Sequence, residues 1–169
     1  MERADHKVAL AIRGRSEILA ALLGAWEASP SVYADQTPRG TVSGMTRILM
    51  IGIRASALDY SKLPPELDEA TMTERIEAGF GATIAAGFDA VSCLIGTSPD
   101  EAESEIRAAF GRDRFGLVMV GGGIRMVPDY TELFERVINT CSAESPGIPF
   151  CFNTSPETTL DALRRHIQP

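Results

Sequence analysis

Two runs of the chain, Ile48-Leu-Met-Ile-Gly-Ile53 and Leu117-Val-Met-Val120, are apolar at odd and even positions alike. A strand of that kind has to be covered on both faces, the condition of a parallel strand with helices on either side. Ala90 to Ile95 instead sets Val91, Cys93 and Ile95 against smaller or more polar neighbours, which predicts an edge strand. Ile148 to Phe152 reads as a fourth strand, with Pro149 near its start, where an edge tolerates a missing donor. Between these runs the period changes to that of helices. Ile76, Phe80 and Ile84 follow a capping box of Thr71 and Glu74 and stop at Gly87. Ser98-Pro99-Asp100-Glu101 carries three start signals for a second helix, and Gly111 supplies its stop. Asp129 is positioned to cap a third, whose inward stripe is Leu133, Phe134, Val137, Ile138 and Cys141. Asn153-Thr-Ser-Pro156 opens a last one through Leu160, Leu163 and Ile167.

Strands that alternate with helices are linked by right-handed crossovers. With the first and third strands buried and the second and fourth at the edges, the sheet order is 2-1-3-4 within a three-layer α/β/α sandwich, a flavodoxin-like arrangement. Its connections reverse direction between strands one and three, so a ligand crevice is expected at their carboxyl ends, between the Arg54 loop and the Gly121 loop, with Asn153 beside it. Residues 45–169 form this domain. Residues 1–44 differ: Val8, Ile12, Leu19, Leu22, Leu23 and Trp26 recur at helical spacing, predicting an amphipathic helix over Asp5 to Ala28 and a Ser, Thr, Pro and Gly-rich linker to Gly44. Gly14 leaves a short strand over Val8 to Ile12 as the alternative. The apolar face of this helix is to be buried on its own domain or on a second copy, and the long linker favours a two-fold homodimer.

Composition narrows the function classes. A hydrophobic fraction of 44% is that of a globular chain, and no apolar run reaches the roughly 18 residues a membrane span needs. The net charge of −7, with no basic stripe, opposes nucleic-acid binding. Three widely spaced cysteines, Cys93, Cys141 and Cys151, form neither a metal knuckle nor a disulfide framework and read as reduced thiols of a cytosolic protein; no signal peptide is expected at the N-terminus.

Candidate chemistry gathers at the strand ends. Gly121, Gly122 and Gly123 leave the backbone open to close approach, and Arg125 offers a planar fork for a carboxylate or phosphate; the alternative is a structural turn with Arg125 paired to an acid such as Asp129. Asn153, Thr154 and Ser155 precede Pro156, where helix amides favour anions, with simple capping by Ser155 as the alternative. Asp59 and Tyr60 lie in a long loop and are placed to reach over the crevice as acid/base or orienting groups. The histidines, His6 and His166, lie near the termini and away from the strand ends, which argues against a histidine base. Cys151, between Phe150 and Phe152, reads as core rather than nucleophile. No cluster has metal-ligand spacing. Arg54-Ala-Ser-Ala lacks the hydroxyl-rich phosphate loop of flavodoxins, and the first strand does not end in the acidic pair of a phospho-relay receiver.

From Arg47 to the C-terminus the chain resembles a group of small uncharacterised flavodoxin-like (Rossmann-like α/β) bacterial proteins. The carrying residues are Asp59-Tyr60-Ser61, Gly121-Gly-Gly-Ile-Arg125 with Pro128, Phe134-Glu135 with Ile138-Asn139, and Phe152-Asn-Thr154. The resemblance implies the fold and the importance of those positions and names no reaction or cofactor. The expectation is a small anionic metabolite bound among the loops at Asp59, Arg125 and Asn153, by a metal-independent enzyme or a binder. The contrasting expectation is a non-catalytic assembly module acting through the N-terminal helix.

Overall fold

The computed structural model describes residues 46–167. Strands β1 (Ile48–Ile53), β2 (Ala90–Ile95), β3 (Leu117–Val120) and β4 (Phe150–Phe152) form one sheet in the order β2-β1-β3-β4. All pairs are parallel, so the topology is flavodoxin-like, as the alternation of the pattern predicts. The helices are α1 (Glu69–Ala85), α2 (Pro99–Arg112), the single turn α3 (Gly122–Arg125), α4 (Thr131–Glu144) and α5 (Thr159–Arg164). The helix expected over Asp5 to Ala28, its strand alternative at residues 8–12 and the linker lie outside the described residues.

The two faces of the sheet are filled differently. On one, Leu49, Ile51, Ile53, Val118 and Val120 meet Ala102, Ile106 and Ala109 of α2 and Leu133, Val137 and Cys141 of α4, all buried. On the other, Ile48, Met50, Leu117, Met119 and Cys151 meet Phe88 and Leu163, with Phe80 and Leu160 partly buried against them. Here α1 buries only Thr83, whereas α2 buries three residues and α4 four. A 17-residue helix over an apolar sheet face that buries so little rides above unfilled space.

Several boundaries depart from the pattern. Helix α1 is capped by Asp68, which accepts from the Thr71 amide at 2.7 Å, so Thr71 belongs to the first turn and is not the cap. An aspartate accepts this bond better than a threonine already inside the helix. Ile84 points outward and is 46% exposed, because Thr83, fully buried, takes the inward position of that turn; Gly87, with φ 89°, stops the helix. Gly111 lies inside α2, which ends one residue later, and Ser98 starts that helix without a side-chain cap. Asp129 does not cap α4; it lies in the turn Pro128–Tyr130 and pairs with Lys62 at 2.7 Å. The fourth strand is shorter than its apolar run, since Pro149 contributes its carbonyl to the Val118 amide and has no donor to extend the ladder.

Candidate functional site

Strand alternation decides what the carboxyl end of the sheet presents to α1. Met50 and Met119 face that side, so the next residues on the same face are Gly52 of β1 and Gly121 after β3. These two glycines are neighbours across the ladder: the Gly121 amide donates to the Ile51 carbonyl at 2.8 Å, and a Cβ on Gly121 would stand 3.6 Å from the Gly52 Cα. Bare backbone therefore replaces side chains at the two central strands, where the connections reverse direction. Leu94, the register partner of Gly52 on β2, borders the bare patch.

A cleft of about 260 Å³ opens over this floor. Its roof is Met72, Ile76, Gly79 and Phe80 of α1, its inner wall Met50 and Met119, and Leu58, Leu63 and Val127 close the loop side. The mouth is made by Gly121 to Gly123 and by Asn153 to Pro156. One water needs roughly 10–15 Å³ of such space, so the cleft has room for a small organic molecule. Among the described residues, Arg75 is the single ionisable side chain in the lining. Its Nε and Nη2 donate to the Glu157 carboxylate at 2.7 and 3.1 Å, tying α1 to the turn after β4. Those bonds from Arg75, with a further one from Ser155, hold the Glu157 carboxyl at about 2.

Asn153 organises the mouth. It is buried; its Oδ1 accepts from the Gly122 amide and its Nδ2 donates to the Thr159 Oγ1, both at 2.8 Å, so one side chain pins α3 and α5 to the end of β4. Gly122 is required there because a Cβ would lie 2.7 Å from the Thr154 carbonyl oxygen. The Thr154 and Ser155 amides donate to the Thr158 hydroxyl at 3.1 Å, which satisfies locally the groups expected to meet an anion.

The structure thus brings Gly121, Gly122, Gly123, Asn153, Thr154 and Ser155 together on the cleft and leaves Asp59, Tyr60 and Arg125 outside its lining. Asp59 accepts from the amide and hydroxyl of Ser61, and these bonds hold its carboxyl below the usual range. The Tyr60 hydroxyl donates to the Ala55 carbonyl at 2.8 Å, closing the loop on itself. Arg125 donates to the Asn153 carbonyl at 3.3 Å and lies 5.6 Å over the Phe152 ring; its expected partner Asp129 is taken by Lys62. Burial pushes the thiols of Cys141 and Cys151 up to about 12 and that of Cys93 to about 11, so all three are poor nucleophiles near neutral pH.

The sequence reading missed Gly52, Met72 and Leu94. A glycine inside an otherwise apolar strand was the available signal for Gly52, since it marks a place where something approaches the backbone. On the opposite face of the sheet, Arg54 donates to Glu105 at 2.5 Å beside Asp100, Glu101 and Ser104, an arrangement that ties the end of β1 to α2. Among the described residues no group of acidic, histidine or cysteine side chains is placed to hold a metal, and no helix is long and apolar enough to cross a membrane. No family model matches the chain, and comparisons with curated proteins and with solved structures find no match.

Proposed function

We propose that this chain binds a small metabolite in the cleft between α1 and the carboxyl ends of β1, β3 and β4. The observation that carries the reading is the unfilled space over Gly52 and Gly121, lined by apolar side chains and opening onto the polar loops at 121–123 and 153–155. The apolar part of the molecule lies under α1 and its polar or acidic end at those loops. Burying about 100 Å² of apolar surface contributes roughly 2.5 kcal/mol, whereas an exposed ion pair contributes at most about 1 kcal/mol. Apolar burial therefore dominates, and an anionic group on the ligand is secondary, the more so because Arg75 is already paired.

A lining of apolar, glycine, hydroxyl and amide groups, with the Arg75 guanidinium held by Glu157, supports binding without a proton-transfer step. The flavodoxin-like strand order supports the same end of the sheet and names no ligand. A cytosolic setting goes with this reading, since the free thiols of Cys141 and Cys151 are buried and that of Cys93 is partly so. Native mass spectrometry of the freshly purified chain tests it. A retained small molecule that is lost in Leu94→Trp, where an indole at a half-exposed edge position fills the cleft, is the expected result. Retention unchanged by that substitution contradicts the assignment.

A further inference from the structure

Resting on that reading, we infer that the cleft is a slot for a planar aromatic ring, stacked on the peptide floor of Gly52 and Gly121 and covered by α1. The floor is bare backbone, because neighbouring strands run about 4.7–4.9 Å apart and carry no side chain at these two positions. A ring lying at about 3.5–4.0 Å over these two residues meets their backbone atoms with one face and the Leu94 side chain at its edge. A puckered or branched body touches the same floor with only some of its atoms.

The walls suit such a ring. Three of the four methionines among the described residues, Met50, Met72 and Met119, line the cleft, and Phe80 stands half-buried in its roof. Thioether sulfur is polarizable and makes favourable contacts at aromatic edges, and the rim of Phe80 offers an edge-to-face partner. Unbranched methionines in both the inner wall and the roof also adapt to the outline of a ring without leaving voids. At the mouth, the loops at 121–123 and 153–155 leave a polar exit for one substituent.

Gly52 allows a test that spares the fold. A Cβ there meets only the Leu94 Cδ2, at an ordinary 3.5 Å, and valine is a better strand residue than glycine. Gly52→Val is expected to fill the floor, and its circular dichroism and thermal midpoint check that the chain still folds. Isothermal titration compares 2-naphthoate with decahydro-2-naphthoate, which have the same carbon skeleton and carboxylate and differ in planarity. The planar acid is expected to bind the unmodified chain at least about ten-fold more tightly, the size of one or two ring contacts, and to lose at least about ten-fold in Gly52→Val. Gly81→Ala, on the outer side of α1 with open space around it, is expected to bind as the unmodified chain does. Equal or tighter binding of the saturated acid overturns the aromatic slot, as does undiminished binding of 2-naphthoate by a folded Gly52→Val chain. Binding of neither acid at millimolar concentration also overturns it. If Gly52→Val nonetheless loses a molecule that the unmodified chain retains in native mass spectrometry, the cleft itself stands and only its aromatic preference falls.

Discussion

Gly79 and Gly81 lie two residues apart on α1 and meet opposite surroundings. A Cβ at Gly79 would stand 2.8 Å from the Pro156 carbonyl oxygen, a backbone atom that cannot swing aside, whereas at Gly81 nothing lies within 4 Å. Gly81→Ala is expected to stabilise the chain by roughly 0.5–1 kcal/mol through helix propensity alone. Gly79→Ala is expected to destabilise it, because α1 must lift from the turn after β4. Chemical denaturation of the two variants checks both signs. Asn153 is the other residue on which the site depends, since its side chain satisfies two groups on different elements. Asn153→Ala leaves the Gly122 amide and the Thr159 hydroxyl without that partner, at a cost of roughly 1–3 kcal/mol for each. Arg125→Ala removes an exposed guanidinium with one long hydrogen bond and is expected to cost under about 1 kcal/mol, so urea midpoints should separate the two clearly.

At the scale of elements, the Arg75–Glu157 pair links α1 to the turn Pro156–Thr158 at the cleft mouth. Glu157 has a folded value lowered from 4.5 to about 2, so its contribution is complete above the ordinary glutamate range and is lost as the pH falls from about 4.5 toward 2. Because the carboxylate is more than half exposed, the pair contributes only roughly 0.2–1 kcal/mol. Glu157→Gln should therefore lower stability by that amount at pH 7 and converge on the unmodified chain as the pH falls through about 2, a convergence that thermal unfolding against pH reads directly. The strands were legible because each run is bounded and its covering is written in its period: the doubly apolar runs became β1 and β3, and the alternating run the edge strand β2. Helix starts were less legible. Several residues near each start were equally able to accept an amide, and only the path of the chain selects Asp68 over Thr71 or frees Asp129 to meet Lys62.

For the whole molecule, the end of the sheet that carries the candidate site followed from strand order, while the face of the sheet did not. Polar loop residues drew attention to Asp59, Tyr60 and Arg125, yet the cleft is defined by missing side chains at Gly52 and Gly121 and by methionines distant in sequence. A void is a property of packing between elements, and no single stretch of sequence encodes it. The N-terminal segment is a separate question at this scale. Sedimentation of the full chain beside one starting at Met45 is expected to give a dimer and a folded monomer, and a full-length monomer at micromolar concentration contradicts the homodimer. The central claim is that the ligand lies under α1, and the methionines report on it. In a chain labelled at its methionine methyl groups, titration with 2-naphthoate should shift the carbon-13 signals of Met50, Met72 and Met119, which line the cleft, and leave that of Met126, which is 56% exposed beside Arg125. A shift of Met126 with the three cleft methionines unmoved would place the ligand at the arginine instead and contradict the account.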